Sequence, residues 1–242
     1  MRFLNEIRRL LDQLEAGQLD AIDRAAAALA AAIRGTGSIF AFGSSHANLI
    51  AQEMIYRTGA LAVVNPIPAP GLQLDIQPLT LGSQMERYPR YGADLVRFRG
   101  ITAGDVVILH SVSGRNTVII DAAITARELG ATVIAITNLA YSRASESRHP
   151  SGQLLYQCAD IVIDNCGAIG DAALDFDSLP TRAVPTSTVM GAVIVNLILE
   201  RTIERLEAEG VEAPVLQSAN LPGGDAYNER IFAKFGARIH YM

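Results

Sequence analysis

The 242-residue chain contains a single lysine, Lys234, and the other 19 of its 20 basic residues are arginines. This scarcity excludes two chemistries. A P-loop needs lysine directly before serine or threonine, whereas Lys234 is followed by Phe235. Schiff-base catalysis would rest on one amine close to the C-terminus. There is no basic run, and the formal charge of −5 argues against a dedicated nucleic-acid binder. The only cysteines, Cys158 and Cys166, form neither a disulfide framework nor a Cys-x-x-Cys pair, and with four scattered histidines they offer no zinc pattern. Reduced thiols in a cytoplasmic protein are the simple expectation. Long apolar runs are missing too. The longest candidate, Val189 to Leu199, ends at Glu200, short of the ~18 residues of a membrane span. Asp12 and Glu15 interrupt the apolar pattern that follows Arg2, Arg8 and Arg9, so no signal peptide and no membrane partner are expected.

What is present is a globular composition, half hydrophobic and 19% charged. Phe3, Ile7, Leu10, Leu11 and Leu14 recur at helical spacing. An alanine-rich helix is expected over 19–33, either as an interface or as a tightly packed cover. Strands are expected at 38–42, 61–64, 105–110, 132–136 and 159–163, and helices at 47–56, 116–129 and 188–206. Residues 65–78 hold four of the ten prolines and read as a loop. Residues 81–99 show a mixed helical pattern broken at Pro89 and Gly92, 214–224 is a second loop, and Asp225 starts a last short helix. Continuous apolar strands alternating with helices predict a parallel sheet covered on both faces.

Two strand-to-helix turns carry the chemistry. The first is Gly43-Ser44-Ser45-His46 and the second is Ser111-Val112-Ser113-Gly114-Arg115-Asn116. Small hydroxyl residues at a helix N-terminus present backbone N–H groups and hydroxyls to an anion, usually phosphate. Each turn alone is equally an ordinary helix cap. In a flavodoxin-like sheet of order 2-1-3-4-5 the first and third strands are neighbours, and both turns flank one crevice beyond the strand ends.

The second turn, Ser-x-Ser-Gly-x-Asn after a buried strand, resembles the phosphosugar loop of the sugar isomerase (SIS) domain family, and Gly-Ser-Ser resembles that family's other substrate loop. The strand and helix order agrees from about Leu19 to Leu206. Within the family the chain resembles small single-domain phosphosugar isomerases or binding proteins. The resemblance implies a three-layer α/β/α sandwich with a five-stranded parallel sheet and an N-terminal helical extension. It implies one domain over 1–242, with helices at 1–34, the core at 35–208 and a tail at 209–242. It places Ser111, Ser113, Gly114 and Asn116 around a phosphate, and Gly43, Ser44 and Ser45 against the sugar or its phosphate. Arg115 stands at a variable position, adding charge or pointing to solvent.

Glu53 matches the glutamate that phosphoheptose isomerase-like members use as proton-shuttling base. Independently, His46 and Glu53 lie seven apart, which on a continuous helix puts them on one face, where they could move a proton between sugar C1 and C2 through an enediol. The plain alternative for Glu53 is an i,i+4 pair with Arg57. His110 reads as an acid–base group or as a core histidine. His149 is expected in solvent. Lys234 and His240 are candidates for entering a partner chain's site. Asp171, Asp175 and Asp177 read as a solvated loop, and Thr186, Ser187 and Thr188 as a substrate contact or a helix cap. Asp164 to Gly167 could line the crevice or be a plain turn. With one lysine, phosphate is expected to be held by serines, Asn116, backbone amides and helix dipoles, without a cation cluster and without cofactor or metal. The expected function is aldose–ketose isomerisation of a phosphorylated sugar by a homodimer. The alternatives are a non-catalytic phosphosugar sensor and a phosphosugar lyase or etherase.

Overall fold

A computed structural model describes residues 1–242. Five strands form a parallel sheet: β1 (Ile39–Gly43), β2 (Val64–Pro66), β3 (Val106–His110), β4 (Thr132–Thr137) and β5 (Ile161–Asp164), in the order β2-β1-β3-β4-β5. Alternation along each strand divides the core. Ile39, Ala41, Val106, Ile108, Ile134, Ile136, Ile161 and Ile163 face one layer, while Phe40, Phe42, Val107, Leu109, Val133 and Ala135 face the other. That two-sided burial is the reason the strands read as unbroken apolar runs.

The first layer holds α1 (Arg2–Gly17), α2 (Leu19–Arg34), α3 (Asn48–Glu53), α8 (Ser187–Ala208) and α9 (Gly224–Phe235). The second holds α5 (Tyr91–Phe98) and α6 (Thr117–Glu128). The N-terminal helices are therefore part of the sandwich. Ala21, Ala25, Ala26, Ala30 and Ala32 of α2 are buried within the chain, where small side chains let α2 lie close to α8. This answers the choice between interface and cover in favour of cover.

Several expected elements shift. The second strand is β2, at 64–66, because residues 60–62 pair with the tail instead: Leu61 bridges Val215, Ala62 N–H donates to the Pro214 carbonyl and Leu216 N–H to that of Ala60. The helix expected over 47–56 is a 3-10 turn at Ser45–Ala47 followed by the short α3. The stretch 81–99 is two helices, α4 (Leu79–Met85) and α5, separated at Pro89 and Arg90, whose φ is +68°. Gly92 sits inside α5 rather than breaking it. Two elements went unforeseen: α7 (Leu139–Arg143) and an antiparallel hairpin of β6 (Ala172–Leu174) and β7 (Ala183–Pro185).

The C-terminal segment packs at the amino end of the sheet. Buried Asn65 donates to the carbonyls of Ile39, Val63 and Arg238 and accepts from His240 N–H. Arg238 donates to the carbonyls of Ala32, Ile33 and Gly35 at the C-terminus of α2, where a cation complements the helix dipole.

Candidate functional site

The parallel register pairs Gly43 with His110. β1 and β3 thus end at the same level, and the two serine turns leave the sheet side by side at its carboxyl edge. The first turn is tight: a Cβ on Gly43 would stand 2.5 Å from the Ala47 carbonyl, so only glycine fits. Ser45 has φ +51° and its N–H donates to the Leu72 carbonyl at 2.7 Å. Beneath the turn lies His110, buried. Its Nδ1–H donates to the Ala47 carbonyl at 3.0 Å, which fixes the tautomer and leaves Nε2 unprotonated, buried and without a partner. Burial pushes the imidazole pKa down, against smaller opposing effects of that bond and of Asp171.

The second turn is braced from behind. Gly114 has φ +59°, and a Cβ there would come within 2.8 Å of Ser142 Oγ. Ser142 Oγ donates to the Ser113 carbonyl, Gly114 N–H to Ser111 Oγ, and Thr137 Oγ1 to the Val112 carbonyl. Asn116 holds the N-cap position of α6 but makes no cap hydrogen bond. Its amide is used elsewhere: Nδ2 donates to Glu86 Oε2, and Oδ1 accepts from Arg148 Nη1 at 2.8 Å.

Glu86, just past α4, is the residue that joins the two turns. Its other carboxylate oxygen accepts from Ser45 Oγ at 3.3 Å, and its carbonyl accepts from Val118 N–H in the first turn of α6. Beside Ser45 opens a polar cleft of about 300 Å³ lined by Asn48, Gln52, Gln73 and Asp75. Asn48 Nδ2 donates to Gln73 Oε1 within it. The amides, hydroxyl and carboxylate there match the donors and acceptors of a polyol.

The remaining predicted residues lie apart from one another. His46 is exposed in the 3-10 turn ahead of α3, so the seven-residue spacing does not set it on one helix face with Glu53. Glu53 pairs with Arg57 and accepts from Asn196 Nδ2 of α8 at 3.2 Å. It lines a separate, mainly apolar pocket of about 100 Å³ with Leu29, Met54 and Val195. Lys234 pairs with Glu212, together with Arg230. His240 Nε2 lies 2.9 Å from Ser38 Oγ, before β1, at the amino edge opposite the serine turns. His149 is not a solvent residue: its Nε2 meets Asp121 at 3.0 Å, both largely buried.

Two further expectations are corrected. Asp171 is no solvated loop residue; it accepts from Thr186 N–H, Ser187 N–H and Ser187 Oγ and so caps α8. And the second turn does not lack cations. Arg148 sits against Asn116, Arg148 N–H donates to the Arg115 carbonyl, and Arg115 and Arg87 are close enough to push the Arg148 pKa down further than burial alone. Both cysteine thiols are pushed up by burial, Cys166 to about 11, so they are protonated at neutral pH. No helix is long and apolar enough to cross a membrane.

The SIS domain model matches residues 2–138, the span that carries α1 through β4 and both serine turns. The chain belongs to the SIS domain family. Over its full length it is similar to a UPF0309 protein of Shouchella clausii, 45% identical across 241 residues covering 100% of this chain and 98% of that protein. A UPF0309 protein of Streptomyces coelicolor is 37% identical over 99% of this chain and 96% of its own. Among solved structures, phosphoheptose isomerase from Neisseria gonorrhoeae superposes with a TM-score of 0.55 at 18% identity, covering 84% of this chain and 96% of that one. A phosphoheptose isomerase from Francisella tularensis gives 0.56 at 16%, covering 84% and 95%. These likenesses establish the fold, a SIS sandwich.

Proposed function

We propose that this SIS domain binds a phosphorylated sugar between its two serine turns and interconverts aldose and ketose forms through an enediol. The observation that carries the reading is Glu86, a carboxylate held between Ser45 and Asn116. The phosphate would sit at the N-terminus of α6 against Ser111, Ser113 and the turn amides, where N–H groups and the helix dipole favour an anion. The carbon chain would run into the polar cleft beside Ser45. Glu86 lies between these two subsites, so it is the carboxylate best placed to take a proton from one carbon and return it to its neighbour. Glu53 faces Asn196 in a different pocket and is the rival for that role.

The test is turnover of a panel of aldose and ketose phosphates. Glu86→Gln is isosteric, and removal of the base should lower kcat by ~10²-fold or more while KM changes little. Ligand binding without turnover in the wild type would make the protein a sensor. Loss confined to Glu53→Gln would return the base to that residue. We also propose that two copies pair through the outer face of α3 and α8, where Leu49 and Val189 are 37% and 39% exposed. Light scattering should give twice the chain mass; a monomer at micromolar concentration would remove this part.

A further inference from the structure

We propose that Arg87, Arg115 and Arg148 form a guanidinium cradle that selects a terminal phosphate monoester in its dianionic form. The proposal rests on the phosphosugar reading above and sharpens it to a class of ligand. Its basis is a charge imbalance built into the second turn. Arg148 is fixed over that turn by three contacts: its Nη1 donates to Asn116 Oδ1 at 2.8 Å, its N–H to the Arg115 carbonyl at 2.9 Å, and its carbonyl accepts from Thr117 Oγ1 at 3.0 Å. Arg115 is the residue between Gly114 and Asn116, and its Nε is buried with no hydrogen-bond partner. Arg87 follows Glu86 directly, two residues past the end of α4.

Three like charges around one turn repel one another, and the neighbours lower the Arg148 pKa accordingly; only Glu86, and Tyr141 more weakly, act in the opposite direction. With Glu86 as the sole carboxylate among them, two positive charges are left uncompensated. A phosphate monoester carries close to two negative charges at neutral pH, with three acceptor oxygens. It would supply an acceptor for the orphaned Arg115 Nε–H, and guanidinium forks are shaped for such oxygens. A sulfate ester or a phosphodiester brings one negative charge and leaves the imbalance half open. The protein as a whole is negative by five charges, so the cradle is a local feature and not a reflection of the whole surface.

The experiment is calorimetric titration of the full-length protein with a sugar phosphate, the matched sugar sulfate and inorganic phosphate, for wild type, Arg115→Gln, Arg148→Gln and Arg148→Lys. Arg24→Gln, on the exposed face of α2, serves as a control, and melting without ligand reports folding. The expected result is phosphate ester binding at least about tenfold tighter than sulfate ester, the scale of one charge-assisted hydrogen bond. Each glutamine variant should lose about tenfold for the phosphate ester and most of the discrimination, with Arg148→Lys intermediate and Arg24→Gln unchanged. If the sugar phosphate binds and the arginine variants bind both esters like the wild type, the cradle is wrong and the phosphosugar reading survives. If only inorganic phosphate binds, with the same sensitivity to Arg148→Gln, the phosphosugar reading is wrong and the cradle survives. Binding of neither overturns both.

Discussion

Single residues decide what the two serine turns can do. Asn116 could have capped α6 with its own side chain, since asparagine is among the preferred N-cap residues. Instead its amide is committed to Glu86 and Arg148, which leaves the helix end open. His110 acts below the first turn, one ring nitrogen tied to Ala47 and the other in a buried, unpartnered position. Its folded pKa lies below the ordinary value of 6.5. The unfolded chain therefore takes up the proton first as pH falls. The associated stability is present above about pH 6.5 and is lost as pH drops from there toward the folded pKa. His240, also pushed down by burial, acts in the same direction. Urea midpoints measured between pH 7.5 and 5 should fall with pH, and His110→Gln should flatten part of that slope. An unchanged slope in the variant would mean that His110 is not held neutral. The serine turns were legible in the sequence because motif, strand and helix lie within a few residues of each other. Glu86 and Arg148 were not, because their partners are 30 to 41 positions away and no local spacing marks such a contact.

Among the elements, the strands were read most securely, since a sheet buried on both faces leaves a run of apolar residues that little else imitates. The exception is instructive. Residues 60–64 are as apolar as any strand and fully buried, but the backbone of 60–62 pairs with the tail, and β2 joins the sheet only from Val64. Hydrophobicity reports burial, and the partner is set by the return of a chain segment about 150 residues later. The β6–β7 hairpin was invisible for the opposite reason: it is short and partly exposed, and its acidic residues look like a solvated loop. Its function in the fold is carried by Asp171, which supplies the cap that Thr186 and Ser187 do not make for themselves. Asp171→Ala should cost about 0.5–2 kcal/mol, the usual range for a lost N-cap, read as a lower urea midpoint with an unchanged m-value. No loss of stability would show that the first turn of α8 is satisfied by solvent.

At the scale of the whole molecule, the sheet brings two turns some 65 residues apart to one edge, and α4, from the loop between them, lays Glu86 across both. The tail closes the opposite edge, so within one chain Lys234 and His240 stand away from the crevice. The scarcity of lysine now has a different meaning from the one it first suggested. The cation hydrogen-bonded to the second turn is an arginine, Arg148. The most direct measurement of the central claim is solvent-deuterium incorporation at C2 of a bound sugar phosphate, followed by NMR. An enediol handled by Glu86 predicts wash-in with the wild type and almost none with Glu86→Gln. Binding without any wash-in, or wash-in undiminished in Glu86→Gln and lost in Glu53→Gln, would contradict it.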